Sequence, residues 1–220
     1  MQGVTGLGMA LVAVPLLFYV LPAEAVPPTS VLICTLLNLT FFCRLRANVA
    51  WKLLLPLLIG AAAGVLPGVL LLKWVPASSF KMAAGVTIAA LGCLLGFGIH
   101  CPVESPWLRG AVGFVAGVLN GALSTSGPVV AAFLSAGNVR KDVFRASMAA
   151  FFLLTNVATA AVMGWQGLLT RTVLFAAAAA APVVLVAALA GLWLAKRVPE
   201  GSFRKYVIAV VVFSGLSLIF

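Results

Sequence analysis

Three consecutive hydroxyl residues stand in the middle of a long apolar stretch of the chain, in the segment "GALSTSGPVV". Ser124, Thr125 and Ser126 are followed there by Gly127 and Pro128. Because glycine allows unusual backbone dihedrals and proline is favoured at the first position of a helix, the pattern predicts that one helix ends and another begins here. Hydroxyl groups and unpaired backbone N–H groups at a helix start are suited to binding an anion.

An alternative interpretation is a kinked membrane helix whose hydroxyls bond to the carbonyls four residues earlier. A similar pattern near the start of the chain favours a site instead. There "GLGMALVAVP" contains Gly6 and Gly8 followed by Pro15, and it aligns with "STSGPVVAAF" in the second half. We therefore expect Gly6 and Gly8 to belong to the same anion site as the hydroxyl cluster.

Three asparagines lie in apolar segments close to these two patterns. Asn120 precedes the hydroxyl cluster by one helical turn, and Asn38 and Asn156 lie eight and nine residues after the serines of a "TS" and an "AS" pair. A side-chain amide at these places can complete a polar pocket or make an interhelical hydrogen bond. Both roles stay open, and all three asparagines are candidates for substrate binding.

The composition is that of a membrane protein. Of the 220 residues, 64% are hydrophobic and 8% are charged, whereas about a quarter of a soluble domain is charged. The net charge of +10 comes from basic residues between apolar segments, which indicates the positive-inside rule rather than nucleic-acid binding. The four cysteines lack the spacing of a metal site, so neither a metal nor a cofactor is expected.

Eight apolar segments are separated by charged residues and prolines. They run approximately over residues 3–22, 28–43, 53–72, 80–99, 110–137, 143–164, 172–195 and 205–220. Their length and their internal glycines and prolines predict an all-α integral membrane protein rather than a β-barrel. No intervening stretch is long enough for a soluble domain, so we expect a single membrane domain over residues 1–220.

The two halves of the chain repeat each other. "GVLLLKWVPASSFK", which begins at Gly68, aligns without gaps with "GLWLAKRVPEGSFR", which begins at Gly191. The sequence therefore predicts two tandem four-segment repeats, over residues 1–100 and 109–220. Many transporters are built in this way and bind their substrate at the repeat interface near the bilayer midplane.

The basic residues bear on whether the first segment of each repeat crosses the membrane. If all eight segments cross, the better orientation has nine basic residues inside and five outside. If segments one and five are re-entrant hairpins, the repeats are inverted and the counts become eleven and three. The hairpin arrangement obeys the positive-inside rule better and explains helix breakers at mid-depth, so we prefer it.

Glycines spaced four apart form two ladders, at Gly60, Gly64 and Gly68 and at Gly113, Gly117 and Gly121. Small residues at this spacing allow close helix packing in membranes. The packing can be internal or between subunits, so a homo-oligomer formed through these faces is one expectation.

These motifs resemble the TauE/SafE sulfite exporter family over essentially the whole chain. "GVTGLGMALVAVPLL" with the later pair Thr29-Ser30 looks like its first signature, and "GFVAGVLNGALSTSGPVVAAFL" with Arg140 to Ser147 resembles its second. The chain departs from the family at Met9 and Ala10, where glycines are frequent. It also has few residues before the first signature, which predicts a shortened first half-helix.

The resemblance implies a secondary transporter that exports or imports small anions such as sulfite or sulfoacetate. An anion channel of the same architecture is the alternative. An intramembrane enzyme is not expected, because the acids lie in connections and the only histidine, His100, lies at a segment end. The expected partners are a small anionic substrate and the lipid bilayer, and the expected location is the inner (plasma) membrane of a bacterial cell.

Overall fold

The computed structural model describes residues 21–22, 25–74, 105–124, 126–137 and 139–195, and every regular element in these ranges is helical. The elements are α1 (Val26–Leu45), a 3-10 turn (Arg46–Asn48), α2 (Trp51–Trp74), α3 (Pro106–Leu123), α4 (Gly127–Ala136), α5 (Lys141–Trp165) and α6 (Arg171–Ala195). The predicted all-α class is thereby confirmed for the described part of the chain.

Helices α1 and α2 form an antiparallel hairpin. The rings of Phe42 and Trp51 meet edge to face at the turn, with centroids 6.4 Å apart. At the opposite end, Val31 of α1 belongs to one buried cluster with Val65 and Val69 of α2. Both helices are apolar enough to cross a membrane, although α1 also carries buried polar side chains such as Thr29, Ser30 and Asn38.

Helices α2 and α3 pack in parallel, backbone against backbone. A Cβ atom added to Gly113 would meet the carbonyl oxygen of Leu57, and one added to Gly117 would meet that of Ala61. Each hypothetical Cβ would lie less than 3.0 Å from the opposing main chain, a distance that real Cβ atoms do not show. Only glycine permits this approach, and the four-residue spacing repeats it on each helical turn.

Helix α5 runs in the same direction as α2. Near the start of both helices, the N–H of Ala50 donates to the Ser147 hydroxyl over 3.2 Å. Further along, Met163 of α5 lies in the buried cluster that contains Val65 of α2. The start of α3 also lies at this end of the bundle, because the Arg109 guanidinium donates to the Lys52 carbonyl oxygen.

Helix α4 turns back toward the end at which α3 began. The rise of α3 from Arg109 to Ser124 is about 22 Å at 1.5 Å per residue. The connection from α4 to α5 has only residues 137–140, which span at most about 18 Å when extended. Since α5 begins beside the start of α2, α4 cannot continue in the direction of α3 and must return.

The returning helix is buried on all sides by the bundle. Val130 and Leu134 of α4 are fully buried, and they share a cluster with Leu54 of α2 and with Phe144 and Phe151 of α5. Helices α3 and α4 together therefore make a hairpin whose tip lies inside the protein, between α1 and α5.

Helix α6 packs on the outer side of α1. Val184 contributes to a buried cluster with Ile33, Leu37 and Phe41, and Ala149 of α5 completes it. The opposite face of α6 carries large exposed apolar side chains, among them Phe175, Val183 and Val186. Contiguous exposed apolar surface of this kind is expected where lipid is the solvent.

Three helices in the described ranges are long and apolar enough to cross a membrane: Val26–Asn48, Trp51–Leu71 and Lys141–Trp165. Gly127–Ala136 and Arg171–Val186 are shorter apolar helices. The predicted segments 28–43, 53–72, 143–164 and 172–195 correspond to α1, α2, α5 and α6, and segment 110–137 corresponds to α3 and α4 together. Segments 80–99 and 205–220, with all but the end of 3–22, lie outside the described residues, so the repeat arrangement stays a prediction.

The glycine ladders pack within the chain. The ladder of α2 faces α3, and the ladder of α3 faces α2, so each is covered by a helix of the same protein. The expectation that these faces join subunits therefore has no support, and the internal alternative is the one observed. The physical reason is that two parallel ladders with the same four-residue register complement each other.

Candidate functional site

The tip of the α3–α4 hairpin is a short break held by Ser124. This residue is the C-cap of α3 and adopts a left-handed conformation, with φ 56° and ψ 26°. Its backbone N–H donates to the Asn120 carbonyl oxygen over 2.9 Å, and its hydroxyl donates to the Pro27 carbonyl oxygen over 2.9 Å. The tip is thereby fixed to the first turn of α1.

A buried network centred on Asn120 joins three helices at the same depth. The side-chain NH2 of Asn120 donates to the Asn156 amide oxygen over 3.0 Å and to the Thr159 hydroxyl over 2.9 Å, both on α5. Its amide oxygen accepts from the Ser126 hydroxyl over 3.2 Å. The Thr159 hydroxyl in turn donates to the Thr155 carbonyl oxygen. Every one of these side chains is at least 97% buried.

The start of α4 has no side-chain cap. Ser126 is the N-cap residue, but its hydroxyl donates to Asn120 instead of accepting from the first turn of α4. Gly127 and Pro128 follow as the first helical residues. N–H groups in the first turn of a helix have no intrahelical acceptor, and no bond from those of Gly127 or Val129 is seen among the described residues, so both can donate to a ligand.

The start of α1 adds two further hydroxyls. Thr29 and Ser30 are 0% and 1% exposed, and within the part of the chain that the structure describes neither hydroxyl has a hydrogen-bond partner. Such a group costs about 1–3 kcal/mol when it is buried unpaired, so its presence in a native structure calls for an explanation. The N-cap Ala25 offers no side-chain cap either.

Among the described residues, the side chains that line this region are uncharged, so the helix dipoles provide its positive potential. The hydroxyl and amide side chains of the hairpin tip are neutral, and the starts of α1 and α4 each contribute a partial positive charge of about half a unit. Arg145, a buried cation of α5, lies 11 residues before Asn156 and therefore about 16 Å away along the helix. It lies close to the end of the bundle at which α2, α3 and α5 begin.

The residues predicted from the sequence are only partly brought together. Asn120, Ser126 and Asn156 join one network, and Ser124 links it to α1. Asn38 is buried on α1, and its side-chain NH2 donates to the Cys34 carbonyl oxygen of its own helix over 2.7 Å. The candidates that lie outside the described residues are Thr125, Gly6 and Gly8.

Three contributors were missed by sequence reasoning. Thr159 follows Asn156 by three residues, so helical spacing could have placed it on the same face. Thr29 and Ser30 were noticed as a pair that matches the other half of the chain, but not as binding residues. Only the packing of α1 against the hairpin tip brings them to this region.

The comparisons with known proteins bear on what this arrangement does. The family model "Sulfite exporter TauE/SafE" matches residues 1–218 of the 220. The chain belongs to the TauE/SafE sulfite exporter family. No curated protein and no solved structure matches it. The family consists of transporters, and together with the apolar helices it shows that this TauE/SafE member is a multi-pass membrane protein with a role in anion transport.

Proposed function

We propose that the protein is a secondary transporter that exports or imports small sulfur-containing oxyanions, most readily sulfite or organosulfonates such as sulfoacetate. The observation that carries the proposal is the uncapped start of α4, which is buried in a network of hydroxyls and amides at the tip of a hairpin. A helix start of this kind is a ready-made anion site.

The chemistry fits a dehydrated anion. An anion that leaves water must replace its hydration shell, and an uncompensated charge in the bilayer costs from a few to more than ten kcal/mol by different estimates. The N–H groups of Gly127 and Val129, with the partial charges of two helix starts, supply that compensation without a fixed cation. A site without a fixed cation holds its anion weakly enough to release it, which a transporter requires.

The α3–α4 hairpin suits a re-entrant position in the membrane. Its two ends approach the same end of the bundle, while its polar tip lies among helices α1 and α5. Broken helices of this kind are tolerated at membrane depth when they are buried in protein. We propose that residues 1–100 contain the corresponding hairpin in an inverted repeat of residues 109–220, within one membrane domain.

Alternating access at the interface of the two repeats is the mechanism that this architecture favours. We place the protein in the inner (plasma) membrane of a bacterial cell, where the exported anion would reach the outside directly. An anion channel of the same architecture is the other candidate. The two differ in kinetics, since a transporter gives saturable counterflow and a channel gives single-molecule currents.

Flux in proteoliposomes tests the proposal. Purified protein should carry sulfite, sulfoacetate or thiosulfate faster than protein-free liposomes do, with saturation as the anion concentration rises. Ser126→Ala should lower this flux about tenfold, because the buried Asn120 amide oxygen then loses its donor and no longer holds its position. Ser126→Leu, which covers the start of α4, should abolish it.

The matched control is Ser105, the N-cap residue of α3. Ser105→Ala also removes a serine hydroxyl at a helix start. That hydroxyl caps its own helix, because it accepts from the Leu108 N–H, so flux should stay at the wild-type level. Wild-type protein that carries none of these anions would overturn the proposed function. Equal flux in Ser126→Ala and Ser105→Ala would overturn the site.

A further inference from the structure

Four threonines of the described membrane helices, Thr35, Thr40, Thr155 and Thr159, donate to a carbonyl oxygen of their own helix. Thr35 donates to the Val31 carbonyl oxygen over 2.7 Å, and Thr155 donates to the Phe151 carbonyl oxygen over 2.7 Å. This is the usual bond to a carbonyl four residues earlier. Thr29 and Ser30 are equally helical and more deeply buried than Thr35, yet their hydroxyls have no hydrogen-bond partner among the described residues.

The two unpaired hydroxyls lie beside the hairpin tip. The Ser124 hydroxyl reaches the Pro27 carbonyl oxygen in the first turn of α1. Ser30 follows Pro27 by three residues, so the two lie on the same side of the helix. Since helical side chains lean toward the N-terminus, the Ser30 hydroxyl covers the turn that Ser124 contacts. Thr29 belongs to the same turn of α1.

The start of α1 differs from that of α4 in its donors. Pro27 and Pro28 occupy the second and third helical positions and have no N–H group. The first turn of α1 therefore keeps its dipole but has lost most of its backbone donors. Hydroxyls of Thr29 and Ser30 are the groups that can donate in their place.

We propose that Thr29 and Ser30 form the second half of the anion site, opposite the start of α4. Their hydroxyls donate to oxygens of a bound oxyanion whose other oxygens accept from the N–H groups of Gly127 and Val129. This inference rests on the proposed transport of oxyanions and adds the residues that complete the site from the α1 side.

Donors on two sides select the shape of the ligand. A sulfite or sulfonate group presents several oxygens in divergent directions and can accept from both helices at once. A spherical anion such as chloride has a single centre and cannot replace two separated sets of donors equally well. The site should therefore favour an oxyanion over a halide.

Binding of sulfite and of chloride to the purified full-length protein tests the inference. The variants are Thr29→Val and Ser30→Ala, which remove the hydroxyls with little change in volume. The control is Thr35→Val, less than two turns further along the same helix. The hydroxyl lost there donates to the Val31 carbonyl oxygen of that helix. Each site variant should bind sulfite about tenfold more weakly, as expected for the loss of one hydrogen bond to a charged ligand.

Thermal unfolding separates binding from folding. Because the hydroxyls of Thr29 and Ser30 have no protein partner, their removal should leave the melting temperature without ligand unchanged or higher, while sulfite stabilises the variants less than the wild type. Sulfite affinities equal to that of Thr35→Val would overturn this inference and leave the proposed transport intact. Absence of sulfite binding and flux in the wild type would instead overturn the proposed function itself.

Discussion

The starts of α3 and α4 are made of similar residues but differ in their hydrogen bonds. Each has a serine at the N-cap and a proline in the first two helical positions. At the start of α3, the Ser105 hydroxyl accepts from the Leu108 N–H, so the helix caps itself. At the start of α4, the Ser126 hydroxyl donates to Asn120, and the first turn keeps its N–H groups.

This difference teaches how a helix start becomes a binding site. A serine beside a proline is a common cap when its neighbourhood is open, because its own backbone is then the nearest partner. The Ser126 hydroxyl donates instead to the amide oxygen of Asn120, and the NH2 of the same amide is held in place by the two bonds that it donates to α5. The network around Asn120 therefore does not merely fill space, since it keeps the start of α4 without a side-chain cap.

A substitution that separates α2 from α3 should have the largest effect on stability, since the α3–α4 hairpin is held in the bundle by this helix pair. Gly117→Val would push a side chain into the main chain at Ala61. We expect destabilisation by about 3 kcal/mol or more, seen as loss of monodisperse protein in size-exclusion chromatography. Gly110→Val on the same helix meets nothing within 4 Å and should purify like the wild type. Equal behaviour of the two variants would contradict the observed packing.

Replacement of Asn120 should remove the difference in capping between the starts of α3 and α4. Asn120→Leu takes away the acceptor of Ser126, whose hydroxyl can then cap α4 as Ser105 caps α3. We expect a loss of about 2 kcal/mol in stability and a fall in anion flux to the level of empty liposomes. Thr155→Val on α5 is the control, because its hydroxyl bonds to its own helix. Flux retained in folded Asn120→Leu would show that the site does not need an uncapped α4.

The smallest effect is expected at the start of α3. Ser105→Ala removes a working cap and should cost about 0.5–1 kcal/mol in the free energy of unfolding. Chemical unfolding in detergent would measure this cost, and sulfite affinity should not change. A larger fall in affinity than in stability would mean that the start of α3 also contacts the anion.

Much of the fold could be predicted from hydropathy and helix breakers. The predicted segments 28–43 and 53–72 agree closely with the observed helices Val26–Leu45 and Trp51–Trp74. The agreement is good because charged residues and prolines mark helix ends in apolar sequence. The end of α3 and the start of α4 followed from Gly127 and Pro128. The direction of α4 did not, since it depends on how short the connection to α5 is compared with the length of α3.

The candidate site was predictable where residues neighbour each other in sequence and not where helices bring them together. Asn120 and Ser126 lie within two turns of the break, so their involvement could be anticipated. Asn38 looked equivalent to Asn156; it donates to a carbonyl oxygen of its own helix, and its part in substrate binding stays a prediction. Conversely, nothing in the chain marks Thr29 as unpaired, because only the packed neighbours of α1 decide which hydroxyls find a partner.

The glycine-lined contact of α2 with α3 also has a consequence for the order in which the protein is made. Helix α3 is not among the helices apolar enough to enter lipid alone, and it carries Arg109 and Asn120. Its partner residues on α2 are synthesised more than fifty positions earlier. The groove of α2 is therefore made before α3, and we expect α3 to enter the membrane by docking onto it. We then expect the spacing of the glycines to fix the depth of α3.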